Sequence, residues 1–448
     1  MKTQQQTTVA AILLSAASLV LAGCSGLTST APVTVQGVAL HGSVHGGQQP
    51  VSNATMQLYA AGSTGYGSAH TYTSGTSLLG THIVTTDVNG GFSITGDYTC
   101  PSATTEVYLV ATGGNPGPTA PANSSIALMG ALGQCGLLSS STNVVINELT
   151  TVASVWALSP FMTGIANIGT SSTNERGLTN AFATVNKLVN ISTGAVSGPA
   201  LPAGATVPVA KINTLADLLA MCINSGGGKA GDGSGCGLLF TAATVNGVAP
   251  TDTITAAMNM AQHPSANTSV ASNVNGASQF QPALTSVPSD FSLVVTYSGG
   301  GVATPKGIAA DLSGNVWTAN AGGNSATEID ALGATSSDAA GYLSGTSGFA
   351  LGSLNGPSAI AIDANGNAWL ANQGNSTVTM INAAGTAGAV YSGGNMSSPS
   401  SVAIDAVSNI WLGNQGNGTV TQISSSGNLT NYSGAGITAP TAIAINPK

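Results

Sequence analysis

The chain has 448 residues, of which only 7 are Lys or Arg and 15 are Asp or Glu, for a formal net charge of −8. Charged residues make up 5%, against about 25% in an average soluble protein, and no basic cluster occurs; nucleic acid and anionic lipid headgroups are therefore excluded as electrostatic partners. So few ionisable groups also predict a weak dependence of stability on pH.

From the N-terminus, Met1-Lys2 gives a weakly positive start and Val9 to Ala22 is a mostly apolar run of 14 residues. That is short of the roughly 20 residues that span a bilayer, so residues 1–23 read as a signal peptide. The closing residues Leu21-Ala22-Gly23-Cys24 resemble a bacterial lipobox. The resemblance implies a diacylglyceryl group on the Cys24 thiol, cleavage before it and acylation of the new N-terminus, so that the membrane is a partner through the lipid. Ser25, with no Asp there, is what sorting to the outer membrane of a Gram-negative cell would use. Residues 24–34 then form a lipidated tether.

Export agrees with cysteine usage. Beyond Cys24 there are Cys100, Cys135, Cys222 and Cys236. Four cysteines allow three pairings, and proximity favours Cys100 with Cys135 and Cys222 with Cys236. Zinc is disfavoured, because no pair has C-x-x-C spacing and no histidine lies near either pair. An oxidising compartment favours disulfides.

Residues 35–124 read as a β-sandwich: Leu40 to Val44, a turn at Gln49 to Ala54, a strand Thr55 to Tyr59, and a hairpin at Thr85 to Ile94 built on Asp87-Val88-Asn89-Gly90. The order G-x-V, then P-V-x-x-A-x-x-x-L-Y, then T-D-x-N-G-x-F resembles the carboxypeptidase regulatory-like (transthyretin-like) domain. That resemblance implies a structural or adhesive module without chemistry of its own. Asp87 and Asn89 fit a hairpin turn better than a calcium loop, since the other EF-hand ligands are missing.

Residues 125–264 change to helical periodicity. Leu149, Val152, Val155 and Trp156 share a face after the cap Asn147; Leu178, Phe182, Val185 and Leu188 do so after Asn174 and Glu175; Leu215, Leu218, Leu219 and Cys222 do so after Asn213; a fourth helix runs from about Asp252 to Gln262. These stripes are core faces of a small disulfide-stapled helical domain. Residues 265–291 are a Ser/Asn/Pro-rich linker.

Residues 292–448 carry a repeat. GIAADLSGNVWTAN from Gly307, AIAIDANGNAWLAN from Ala359 and SVAIDAVSNIWLGN from Ser401 place Asp311, Asp363 and Asp405 52 and 42 residues apart, near the 40 to 45 residues of one propeller blade. Each unit reads as an inner strand, an Asp-Asn-Gly turn, a second strand with one blade-packing Trp (Trp317, Trp369, Trp411), a third strand and an outer strand. Counting gives an orphan outer strand at about Leu293 to Ser298, three full four-stranded blades, and an orphan inner strand from Ala442. Closed propellers typically need about 4 to 8 blades. The repeat resembles the NHL-repeat propellers and, more loosely, the streptogramin-lyase and gluconolactonase-like propellers.

The fold class expected is therefore multidomain and mainly β: a sandwich, a helical middle and an incomplete propeller. Streptogramin lyases use a histidine base, and the five histidines (His41, His45, His70, His82, His263) all precede the repeats. Gluconolactonase-like propellers hold a divalent cation with Glu, Asn and Asp, and Glu328 is the single glutamate of the array. Asp311, Asp363 and Asp405 recur identically, as structural turn residues do, and Asn320, Asn372 and Asn414 read the same way. The sequence thus points to a lipid-anchored binding scaffold with no catalytic residue, metal or cofactor and with an unidentified protein or glycan ligand. Two rivals stand beside it: a metal-dependent lyase or lactonase, and an adhesion component that self-associates through open blade edges.

Overall fold

The computed structural model describes residues 33–70, 76–118, 120–274, 279–333, 341–351, 353–386 and 388–446. The signal peptide, Cys24 and most of the tether lie outside them. The chain is a multidomain, mainly β protein.

Two sheets face each other in the N-terminal part. One orders the strands Ala127–Gln134, Glu106–Thr112, Thr55–Ala60 and Val84–Thr85; the other orders Asn143–Ile146, Leu40–Gly46, Gln49–Ser52 and Asn115–Pro116, with Gly91–Ile94 also pairing Leu40–Gly46. Alternation decides which side chains go inward: Met56, Leu58, Leu109 and Phe92 are buried. The sheets do not stop near residue 124. The stretch after Ser125, expected to be helical, first supplies the strands Ala127–Gln134 and Asn143–Ile146, the latter parallel to Leu40–Gly46.

Five helices follow among the described residues: α1 (Glu148–Leu158), α2 (Glu175–Leu188), α3 (Val209–Ile223), α4 (Gly235–Ala242) and α5 (Thr253–Gln262). Asn147 caps α1 with a full capping box, its side chain accepting from Thr150 N while its own N–H donates to Thr150 Oγ1. Helix α3 begins four residues before Asn213, and α4 was not legible in the periodicity because it is short and apolar on most sides. Sandwich and helices share one continuous core that runs from Leu40 and Leu109 through Val152, Leu215 and Ile254 to Phe291.

Strand Ala127–Gln134 lies at the end of its sheet, where unpaired amides would invite another strand. Here hydroxyls take that place. The amides of Ala127, Met129 and Ala131 donate to Thr253 Oγ1, Thr151 Oγ1 and Ser154 Oγ, each at 3.0 Å, so α5 and α1 close the edge.

Disulfides join Cys100 to Cys135 and Cys222 to Cys236. The first ties the short strand Thr99–Cys100 to the end of Ala127–Gln134, and the second ties α3 to α4. Disulfides fit an extracytoplasmic protein. No described helix is long and apolar enough to cross a membrane.

The expected linker is packed down: Trp156 Nε1 donates to Phe291 O at 2.7 Å, and Lys211 pairs with Asp290 at 3.2 Å. The strand expected to be an orphan of the propeller is not one. Thr296–Tyr297 pairs antiparallel with Ala205–Thr206, which satisfies its backbone groups within the helical region.

Three antiparallel sheets then stack as blades. The second (Pro357–Ile362, Ala368–Asn372, Thr377–Ile381, Gly388–Tyr391) and third (Pro399–Ile404, Ile410–Asn414, Thr419–Ile423, Leu429–Ser433) have four strands. The first (Pro305–Ala310, Val316–Asn320, Ser325–Ile329) has three, its outer position being held among the described residues by single bridges from Ala326 to Phe349 and Ile329 to Tyr342. The expected inner strand from Ala442 does not form: residues 441–446 have no strand partner, and the segment is tied at Pro440, whose carbonyl accepts from Ser400 Oγ at 2.6 Å.

Candidate functional site

The repeated aspartates occupy the same place in every blade. Asp363 Oδ1 accepts from the amides of Asn365 and Asn367, both at 2.9 Å, and Oδ2 accepts from Asn367 Nδ2 at 2.9 Å and Trp369 Nε1 at 3.0 Å. Asp405 has the same four donors in Val407 N, Asn409 N, Asn409 Nδ2 and Trp411 Nε1. Asp311 has them in Ser313 N, Asn315 N, Asn315 Nδ2 and Trp317 Nε1. Four hydrogen bonds fill a carboxylate's accepting positions. Burial pulls Asp363 and Asp405 upward, but the bonds from the indoles and asparagines outweigh it and leave both below the ordinary aspartate value. Asp87 in the sandwich makes the first half of the same turn, accepting from Asn89 N and Gly91 N at 2.8 Å.

The asparagines that end the second strands are likewise used. Asn372 Nδ2 donates to Thr377 Oγ1 and Thr379 Oγ1, Asn414 Nδ2 to Thr419 Oγ1 and Thr421 Oγ1, and Asn320 Nδ2 to Ser325 Oγ and Thr327 Oγ1.

Each blade tryptophan lies against an aromatic of the outer position, Trp317 stacked on Phe349, Trp411 stacked on Tyr432 and Trp369 tilted against Tyr391, with ring centroids 5.2–5.7 Å apart. Trp317 lies in a cluster with Ile360 and Leu370 of the second blade, and Trp369 in one with Ile410 and Leu412 of the third.

One blade departs from the pattern. Opposite Trp369 and Trp411 stand Met380 and Gln422, whereas opposite Trp317 stands Glu328. Glu328 is 5% exposed and accepts from Asn315 Nδ2 at 3.0 Å. Burial above all, and then the nearby Asp311 and Asp330, push it up to about 7. It borders a cavity of about 520 Å³ shared with Asp311, Asn365 and Ala383.

Sequence reasoning passed over two further carboxyls. Glu106 is 5% exposed, lines a cavity of about 300 Å³ with His70, Gln134 and Thr179, and is pushed up to about 7 by burial. Glu148 is fully buried at the start of α1. The available signal was scarcity, since the chain has four glutamates and three of them are buried. His41 is exposed and His45 half-buried, its ring bonded to Ser43 Oγ at 3.2 Å. Among the described residues no group of three or more His, Cys, Asp or Glu is arranged to hold a metal ion.

Comparison with protein families finds no match, and comparison with curated proteins finds none either. Among solved structures the chain is similar to a streptogramin B lyase at 14% identity and a TM-score of 0.26, covering 31% of this chain and 44% of that one. It is similar to virginiamycin B lyase from Staphylococcus aureus at 17% identity and a TM-score of 0.28, covering 34% and 48%. It is also similar to the hydrazine synthase of Kuenenia stuttgartiensis at 15% identity and a TM-score of 0.26, covering 33% and 40%. The match thus spans less than half of each of those chains. Likenesses this slight carry no argument about this chain, whose blades rest on its own strand pairing.

Proposed function

We propose that the protein is a lipid-anchored cell-envelope scaffold that binds a partner through its blades and sandwich without transforming it. The observation that carries this reading is the use of the repeated aspartates. Each is filled by four donors from its own turn, so the array's most regular acidic positions hold strands together and are not presented to a ligand. The lipobox at Leu21 to Cys24 and the two disulfides support an outer location.

Two measurements test it. Metabolic labelling with an alkyne fatty acid, followed by fractionation, should place the full chain in the membrane and release Cys24→Ser unlabelled; an unlabelled wild type sinks the anchor. The purified full chain should leave lactones and streptogramins unchanged with or without calcium or magnesium, and turnover in either case would install the lyase or lactonase reading instead.

A second reading is favoured by the two ends of the array. Ile308 on the inner strand of the first blade is 72% exposed, and residues 441–446 at the other end are unpaired. Self-association through these ends would give concentration-dependent oligomers that disappear in Ile443→Pro.

A further inference from the structure

The cavity beside Glu106 lies where three elements meet: the start of strand Glu106–Thr112, the end of Ala127–Gln134 and the first turn of α2. Glu106 and Gln134 stand opposite each other in the register of the two strands, next to a bulge between Ala131 and Gly133. Gly133, with φ at +95°, leaves the flank of the carboxyl open, since a Cβ there would stand 4.0 Å from Glu106 Oε2. The disulfide between Cys100 and Cys135 brackets the same corner, for its sequence neighbours Pro101 and Gln134 both line the cavity.

Glu106 is 5% exposed, and neither of its carboxyl oxygens completes a hydrogen bond with the protein. Burial pushes it up to about 7, while Thr179 and Gln134 approach it and favour the charged form without outweighing that. A buried acceptor without a donor is unfavourable. The missing donor has to come from the cavity that Glu106 lines.

The rest of the wall says what kind of donor. A second carboxyl, Glu175 at the start of α2, lines the cavity, and neither Lys nor Arg does, which disfavours an anion. Among the described residues no three His, Cys, Asp or Glu are arranged for a metal ion. No Phe, Tyr or Trp lines it, so the aromatic cage that recognises quaternary ammonium groups is missing. Hydroxyls are what the wall offers. Ser102 Oγ bonds Thr104 Oγ1 at 3.2 Å and Thr105 Oγ1 at 2.9 Å, and Thr170 Oγ1 donates to Asn174 O at 3.1 Å and so keeps accepting capacity. At about 300 Å³ the cavity is at the small end of ligand sites.

We propose that this cavity binds a small hydroxylated primary amine, whose ammonium group donates to the Glu106 carboxylate and whose hydroxyl bonds the serine and threonine wall. Binding ionises Glu106, and any proton it carries leaves for solvent. The site is separate from the blades, so the scaffold reading stands or falls without it.

The test titrates the purified full chain calorimetrically at pH 7.5 with 4-amino-1-butanol, with its neutral isostere 1,4-butanediol and with choline, while thermal unfolding checks the fold of each variant. The amino alcohol should bind one equivalent, and the diol and choline at least tenfold more weakly. From pH 7.5 to 5.5 its affinity should fall, approaching about tenfold per pH unit, with a proton released on binding. The other ionisable groups of the wall are Glu175, which is exposed, and His70, held below its ordinary value by burial; His70 gains charge over that range and acts in the same direction. Glu106→Gln, which keeps the shape and charge of the protonated acid, should abolish binding. Glu175→Gln changes only an exposed side chain and should weaken binding a few-fold. The proposal is overturned if the wild type takes up no amino alcohol at millimolar concentration, which would leave Glu106 with a proton alone. It is overturned equally if the diol or choline binds as tightly, or if either glutamine variant binds as the wild type does.

Discussion

Trp369 donates its indole N–H to Asp363 Oδ2 across 3.0 Å, six residues back along the same chain. The bond fastens the inner strand of the second blade to the next strand while the ring lies tilted against Tyr391. Asp363→Ala would strip four donors at once, two of them backbone amides that water can partly recover. We expect a loss of about 2–3 kcal/mol, read as a lower urea midpoint for the transition seen by tryptophan fluorescence. A variant within 0.5 kcal/mol of wild type would show that the turn holds without its carboxylate.

The three buried glutamates give pH dependence a sign that composition hides. Glu106, Glu148 and Glu328 have folded values near 7, 8 and 7, above the roughly 4.3 of the unfolded chain. An acid raised in the folded state stabilises it fully below its unfolded value and ceases to as pH rises through the folded one. Lys187, pushed down to about 8 by burial, already holds its proton through most of the lower part of that window. The melting temperature should therefore rise as pH falls from 8.5 to about 6.5, against the weak dependence that the scarcity of charge predicts; below that, His45 and His70, both lowered by burial, work the other way. A flat profile would mean that these carboxyls are solvated in solution.

The hydroxyls that close the edge of Ala127–Gln134 offer a local test. Thr151→Val keeps the shape of the side chain and leaves the buried Met129 amide without its acceptor. The expected cost is about 1–3 kcal/mol, with faster hydrogen exchange at Met129 and little change in the blades. Unchanged protection at Met129 would show that another acceptor takes over.

Each disulfide should contribute through the chain it closes. Cys222 and Cys236 are 14 residues apart and Cys100 and Cys135 are 35 apart, so removing either as a Cys→Ser pair should cost about 3–4 kcal/mol, the longer loop slightly more. Equal melting temperatures with and without reductant would contradict this.

The sequence by itself determined whatever rests on short-range bonds. The blade turn was legible because the donors to Asp363 lie two, four and six residues along the chain, so its residues must recur together. The cap at Asn147 reaches three residues, and the pairing of Cys222 with Cys236 spans a short loop. Tertiary structure decided the rest. Thr296–Tyr297 reads as a blade strand because its local pattern is that of one, yet its partner is Ala205–Thr206, some ninety residues earlier. The amide of Gly47 finds Glu148 across 101 residues, and those of Ala127 and Met129 find hydroxyls 126 and 22 residues away. A buried carboxyl looks like any other in a sequence, since only the packing of distant elements removes the water that would have kept it charged.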